Sequence, residues 1–175
     1  MLKQKYLFIP ATVIALMLLT GCSSDENAKT TTSTEKIATL LGTDSNNNGV
    51  RDDVEKKIYE KYEKPLHRAL LMDGAEQFQK VLTEPSDKAI ETQKNIARII
   101  HCKVYLRRMD VEIKSYNFEF IEYLENVTFD TPERVKKYLD YNLALSGGNF
   151  ASKPNEWSQE ECNPETIKAL EEIGN

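Results

Sequence analysis

Apolar residues recur at helical spacing through most of the chain after residue 50. Val54, Ile58 and Tyr62 lie four residues apart, which predicts an amphipathic helix that begins near Asp52. The same spacing continues to Thr83, with a kink expected at Pro65. The apolar positions of this second part are Leu66, Leu70, Phe78 and Leu82.

Two further helices are predicted between Ser86 and Leu124. Ser86 and Asp87 are favourable caps, and helical spacing follows them to about Met109. The inward positions there are Ile90, Ala97, Ile100 and Val104. The next stretch, 111–124, favours a helix, although the alternation of residues 111–113 and 116–120 also permits a strand. The inward positions of that helix are Ile113, Phe120, Ile121 and Leu124.

Proline-containing helix starts mark the last third of the chain. Thr131 before Pro132 predicts an N-cap and a first helical residue, and Gly147-Gly148 ends that helix. Its predicted inward stripe is Val135, Leu139, Asn142 and Leu143. Asn163 before Pro164 predicts a short last helix, with Ile167, Leu170 and Ile173 inward. The sequence therefore predicts an all-α fold, a small helical bundle within residues 37–175.

The N-terminus has a different pattern. Lys3 and Lys5 precede an apolar run over residues 6–19. That run has the length of a signal-peptide core and is shorter than the roughly 20 residues needed to span a bilayer. Residues 1–21 are therefore predicted to be an export signal.

The four residues Leu19-Thr20-Gly21-Cys22 follow that run. They resemble the processing box of bacterial lipoproteins, in which a branched apolar residue and two small residues precede the cysteine that is lipidated. The resemblance implies cleavage before Cys22, a diacylglyceryl thioether on its sulfur and usually a fatty acyl chain, such as palmitate, on its amino group. Two or more such chains anchor a protein stably. An ordinary signal peptide or a short N-terminal anchor is the alternative.

Residues 22–36 are almost entirely polar and predict a flexible tether. By the resemblance to lipoproteins, Ser23 stands where an inner-membrane retention signal has Asp, which favours the outer membrane of a diderm bacterium. Asp25 and Glu26 also suit the surface-export signal of some lineages. The expected location is the bacterial cell envelope, with the inward or outward orientation left open.

Residues 44–55 fit the twelve-position calcium loop of EF-hands. The ligand positions are Asp44, Asn46, Asn48, the carbonyl of Val50, Asp52 and Glu55. Ca²⁺ prefers oxygen ligands, and alternate residues of a tightly wound loop direct their oxygens to one point. Gly49 allows the sharp turn, and Glu55 is placed to bind with both oxygens. Asp53 is expected to point outward.

Two features distinguish this loop from paired EF-hands. Asn46 and Asn48 replace carboxylates, and Arg51 stands where paired loops carry a β-branched residue. A loop without a full helix before it resembles those of thrombospondin type 3 repeats and dockerins, but this chain has one copy. With fewer ligand charges and no partner loop, calcium is expected to bind weakly, with a Kd on the order of 10⁻⁴ to 10⁻³ M. The alternative is an Asx-rich turn in which Asp52 is the N-cap and Glu55 completes a capping box.

Composition excludes some classes of protein. The 175 residues carry 23 basic and 28 acidic side chains, a formal charge of −5, which disfavours nucleic-acid binding. Removal of residues 1–21 leaves 21 basic against 28 acidic residues. With Cys22 assigned to lipid, Cys102 and Cys162 are expected to form a disulfide in an oxidising compartment. Two free thiols, one beside His101, are the alternative.

No catalytic motif accompanies the two histidines, His67 and His101: the sequence contains no GxSxG, HExxH or SxxK arrangement. The sequence therefore predicts a non-enzymatic, lipid-anchored calcium-binding module that binds a protein partner in the envelope. The alternative is an envelope enzyme, for example one acting on cell-wall material, with calcium as a structural ion.

Overall fold

The computed structural model describes residues 37–109, 119–148 and 157–173. Within them lie six helices of ten residues or more: α1 Asp52–Lys61, α2 Pro65–Thr83, α3 Ala89–Arg108, α4 Glu119–Thr128, α5 Pro132–Ala144 and α6 Pro164–Ile173. One helical turn, residues 37–41, precedes the loop, and short 3₁₀ turns lie at Ser86–Lys88 and Gln159–Glu161. No strand occurs in these ranges, so the predicted all-α fold is confirmed.

Helix α2 is the centre of the bundle and contacts all five other helices. A helix that is covered on most sides must be apolar around most of its circumference, and the predicted core residues Leu66, Leu70, Phe78 and Leu82 are all buried. Gly74 allows α4 to approach closely, because a Cβ there would lie 2.5 Å from the Leu124 side chain. The core of the protein therefore surrounds α2.

The predicted kink at Pro65 is instead a complete break between α1 and α2. Lys64 has extended backbone angles (φ −77°, ψ 129°), as steric contact with a following proline favours. Arg68 then closes the end of α1, because its side chain donates hydrogen bonds to the carbonyls of Tyr59 and Tyr62. Val54 and Ile58 of α1 are buried as predicted.

Helix α3 begins at Ala89, later than the sequence suggested. Ser86 and Asp87 lie in a 3₁₀ turn, and no side chain caps the helix, so the prediction of caps at these two residues is wrong. Ile90 is 51% exposed instead of inward. The core face is carried by a set shifted in register: Ala89, Thr92, Ile96, Ile99, Cys102 and Leu106.

Residues 110–118, where helix and strand were both open, lie outside the described residues, as does Ile113. From Glu119 onward the chain is helical. Phe120 and Leu124 are fully buried, and Ile121 packs against the same core. The helical alternative is therefore confirmed for residues 119–124.

The start of α5 is as predicted, but its orientation is not. Thr131 accepts a hydrogen bond from the Arg134 amide as the N-cap. The predicted inward stripe is wrong, since Val135, Leu139 and Leu143 are 42%, 60% and 73% exposed and Asn142 is also exposed. The buried residues of this helix are Arg134 and Tyr141. Arg134 decides the orientation by donating to the backbone carbonyls of Thr39 and Leu40.

Helix α6 begins as predicted. The Asn163 side chain accepts from the Thr166 amide at 2.8 Å, which caps the helix before Pro164. Its buried residues are Thr166 and Ala169. Ile167 and Leu170 are half-buried, whereas Ile173 is 48% exposed and not inward.

A disulfide joins Cys102 of α3 to Cys162, just before α6, with a Cα–Cα distance of 4.8 Å. Cys102 is fully buried. The predicted pairing is therefore confirmed, and it attaches the short last helix to the core. Among the described helices, none combines the length and apolarity that crossing a bilayer requires.

We expect the double variant Cys102→Ala, Cys162→Ala to lose about 3 kcal/mol of unfolding free energy, because the bridge closes a loop of 60 residues. Urea denaturation of the oxidised chain and the variant measures this loss. Dithiothreitol should destabilise the unmodified chain by a similar amount and leave the double variant unchanged. Equal stability of both chains would contradict a stabilising role for the bridge.

Candidate calcium loop

The loop 44–55 lies between the helical turn at residues 37–41 and α1. Asn47 (φ 56°) and Gly49 (φ 84°) both have left-handed backbone angles, which glycine and asparagine adopt most readily. A Cβ at Gly49 would also lie 2.9 Å from the side chain of Glu76. The glycine predicted at the sharp turn is therefore required both by its backbone angle and by the space beside α2.

Four of the predicted ligand side chains form one hydrogen-bonded group. Asp44 accepts from the amides of Asn48 (3.1 Å) and Gly49 (2.9 Å). The side-chain amides of Asn46 and Asn48 both donate to the same Glu55 oxygen, each at 3.1 Å. Side chains from positions 3, 5 and 12 of the loop therefore meet at one carboxylate oxygen, across separations of seven and nine residues.

Asp52 is held separately from that group. The Ser45 hydroxyl and amide donate to its two oxygens at 2.5 and 2.9 Å, and these hydrogen bonds lower the pKa of Asp52. In EF-hand loops this position often binds calcium through water. The alternative assignment of Asp52 as helix N-cap is wrong, because α1 begins at Asp52 and no side chain caps it.

The donors of the loop have the chemistry that calcium prefers. The predicted set combines three carboxylates, two amides and the Val50 carbonyl, and every donor is an oxygen. Among the described residues, no three acidic, histidine or cysteine side chains converge closely enough to hold a metal ion. The set suits a calcium ion by donor type, but the atoms that face Glu55 in this structure are the side-chain nitrogens of Asn46 and Asn48, and their oxygens accept from backbone amides.

Arg51 connects the loop to the bundle. Its side chain is fully buried, and it donates to the carbonyls of Thr128 (3.0 Å) and Val127 (3.3 Å) at the end of α4. It also contacts both oxygens of Asp53, at 2.7 and 3.0 Å. Asp53 is about half exposed, as predicted, but it is paired with Arg51.

A second arginine extends this network. Arg134 of α5 contacts Asp130 at 2.6 Å and donates to the carbonyls of Thr39 and Leu40, before the loop. Asp130 in turn lies 3.4 Å from Arg51. The loop and the chain before it are therefore tied to the same corner of the bundle, where α4 meets α5.

These arginines also set the ionisation of their partners. A hydrogen bond from Arg51 lowers the pKa of Asp53. Burial alone would raise the pKa of Asp130, but hydrogen bonds from Arg134 and Lys57 bring it below its ordinary value. Both carboxylates therefore favour the folded state while ionised, and this contribution is lost as the pH falls through their lowered pKa values.

A groove adjoins the loop. It has a volume of about 530 Å³ and lies between the loop, α1, α2 and the start of α6. Asn48, Val50 and Glu55 of the loop form part of its lining, and Asp73 and Glu76 of α2 contribute two further carboxylates. Asp73 is buried, and both of its oxygens contact Arg98, at 2.6 and 2.9 Å.

Sequence reasoning placed the loop ligands but not their supports. Arg51 was recognised only as a departure from paired EF-hands, and Asp73, Arg98 and Arg134 were not identified. Only Asp73 had a signal in the sequence, because it stands seven residues after Leu66, on the predicted core face of its helix. Cys22 lies outside the described residues. His101 lies 3.8 Å from Glu161 and has no nucleophile among its described contacts.

We expect Arg51→Met to lower the unfolding free energy by about 3 kcal/mol, because it leaves two backbone carbonyls and two carboxylates without their buried donor. Lys56→Met is the matched control, since the Lys56 side chain is 74% exposed and its loss should cost under about 0.5 kcal/mol. Urea denaturation measures both. Equal losses would show that the guanidinium does not hold the loop in place.

The comparisons with known proteins add no assignment. The chain matches no protein-family model, no curated protein and no solved structure. The function must therefore be inferred from the chemistry of the loop, the groove and the N-terminal sequence.

Proposed function

We propose that this protein is a lipid-anchored, calcium-binding lipoprotein of the bacterial cell envelope that acts as a non-enzymatic binding module. The observation that carries the calcium part is the meeting of Asn46 and Asn48 on one oxygen of Glu55. Sequence spacing predicts these residues as ligands, and their side chains lie together in the folded loop. A calcium ion would take the side-chain oxygens of Asn46 and Asn48, in place of the N–H groups that now face Glu55, and would hold the loop against the start of α1.

Calcium in this loop would be a structural ion. Within the part of the chain that the structure describes, the loop is followed by α1 and preceded by the single helical turn at residues 37–41, which does not make the helix pair that opens in calcium sensors. Arg51 already attaches the loop to the bundle, and Arg134 attaches the chain just before it. Binding would therefore stiffen a loop that is in place, and the fold would remain the same.

The lipid anchor is supported by the order of features at the N-terminus. Two lysines, an apolar run, the box ending at Cys22 and a polar tether follow one another. The tether of residues 22–36 would hold the helical domain away from the membrane surface. The proposed location is the outer membrane, with a protein partner in the envelope.

An envelope enzyme is the second candidate, and the groove beside the loop is the observation that favours it. Burial raises the pKa of Asp73 there, with Arg98 opposing that effect, and a carboxyl of raised pKa in a cleft suits acid–base chemistry. Three of the four carboxylates that line the groove nevertheless have partners: Asp73 contacts Arg98, Glu76 contacts Lys80, and Glu55 accepts two amides. The binding module is therefore the better-supported function.

We expect 10 mM calcium to raise the unfolding free energy by about 1.4 to 2.7 kcal/mol, the range for a Kd between about 1 and 0.1 mM. Glu55→Gln removes the ligand charge at position 12 and should abolish this stabilisation. Thermal unfolding with calcium, and with EGTA, measures the difference.

Glu60→Gln is the control, because Glu60 lies on the same helix with its side chain 64% exposed. It should keep the full calcium response. Magnesium at the same concentration should stabilise less, since it requires a stricter octahedral geometry. If Glu55→Gln responds like the unchanged chain, the loop is not the calcium site.

We expect mass spectrometry of the protein isolated from bacterial membranes to find a mature chain that begins at Cys22 and carries acyl groups. Cys22→Ser removes the sulfur that forms the thioether, so this variant should lack the lipid and leave the membrane fraction. A Ser23→Ala variant should still be acylated. An unmodified Cys22 in the membrane-extracted chain would contradict the anchor.

A further inference from the structure

Among the residues that the structure describes, none covers one face of α2 between α1 and α6. Its residues follow helical spacing along the floor of the groove: Pro65, Arg68, Ala69, Met72, Asp73 and Glu76. The loop and α1 form one wall, and Asn163 with Glu165 forms the other. At about 530 Å³, the groove lies within the size range of small-molecule sites.

The lining combines an apolar surface with an excess of negative charge. Val50, Tyr59, Ala69 and Met72 provide the apolar part. Four carboxylates line the groove against one guanidinium, that of Arg68. Arg68 is already engaged, because it donates to the carbonyl of Tyr59 and lies 4.8 Å from the Tyr59 ring centroid.

The carboxylates differ in how far they are neutralised. Asp73 and Glu76 have cationic partners, Arg98 and Lys80. Neither Glu55 nor Glu165 has a lysine or arginine within ion-pair distance among the described residues. An anionic ligand would therefore meet repulsion, whereas a cationic group would find two carboxylates, one on each wall.

We propose that this groove binds a small organic amine, with its ammonium group at Glu165 and its apolar body on Ala69, Met72 and Tyr59. The volume suits one such molecule, and the lining suits both of its parts. A simple polyamine would lack the apolar body, and a fatty acid would carry the wrong charge. Amine binding in the groove does not require calcium. This proposal therefore goes beyond the calcium-binding function proposed above.

Three probes of similar size and shape differ in charge, so they show whether binding depends on a positive charge: 4-phenylbutylamine, 4-phenylbutanol and 4-phenylbutanoate. Each is titrated into the full chain in phosphate buffer with EGTA and followed by two-dimensional NMR of the backbone amides. EGTA makes the result independent of the calcium site, and phosphate avoids an amine buffer. We expect the amine to bind with a Kd on the order of 1 mM, with shift changes confined to the loop, residues 65–76 and the start of α6.

The variants Glu165→Gln and Glu172→Gln test the charge on the far wall. Glu165 lines the groove, whereas Glu172 is exposed near the end of the same helix. Glu165→Gln should weaken amine binding about threefold to fivefold, and Glu172→Gln should leave the Kd unchanged. Ala69→Leu fills the floor and should abolish binding, with the NMR spectrum reporting whether the variant is folded.

Three other results would overturn the proposal. If the alcohol binds as tightly as the amine, the groove selects no charge. If shift changes fall on the exposed α5 residues Val135, Leu139 and Leu143, the amine binds elsewhere. If no probe binds and sedimentation shows a dimer that Ala69→Leu disrupts, the groove is occupied by a second copy of the chain.

Discussion

The buried guanidinium of Arg51 is the interaction on which the arrangement of the loop depends. It lies at the junction of the loop, α1 and the end of α4, and it satisfies carbonyls that α4 leaves without helical partners. Gly42 makes room for it, because a Cβ there would lie 2.3 Å from the Arg51 side chain. A buried cation requires carbonyl and carboxylate partners. The positions of the loop, of Asp53 and of α4 are therefore determined together.

The loop and the groove share residues, so the two proposed sites lie in one region of the molecule. Glu55 accepts the amides of Asn46 and Asn48 and also lines the groove. Helix α2 contributes the floor, and its Glu76 lies against Gly49 at the turn of the loop. A calcium ion in the loop would reduce the negative charge of one groove wall, since Glu55 belongs to both. The proposed amine site and the proposed calcium site are therefore expected to influence each other.

Periodicity predicted helices well and their orientation less well. The starts at Thr131-Pro132 and Asn163-Pro164 were correct, because capping and proline geometry act over a few residues. The stripe of Val135, Leu139 and Leu143 was wrong, since Arg134 turns the opposite face of α5 toward the bundle. Arg134 donates to the carbonyls of Thr39 and Leu40, about 95 residues away in the chain. These hydrogen bonds outweigh the exposure of three apolar side chains. A pattern of apolar residues within one helix contains no information about such distant partners.

The amino-acid sequence by itself determined the helical class, most helix boundaries, the Cys102–Cys162 pairing and the spacing of the loop oxygens. Each of these depends on local geometry or on a count of residues. The tertiary structure alone decided where Arg51, Asp73 and Arg134 are buried, which face of α5 is exposed and that a groove lies beside the loop. The reason is physical: a charged side chain is buried only where distant backbone and carboxylate partners meet it, and those partners come together only when the helices pack.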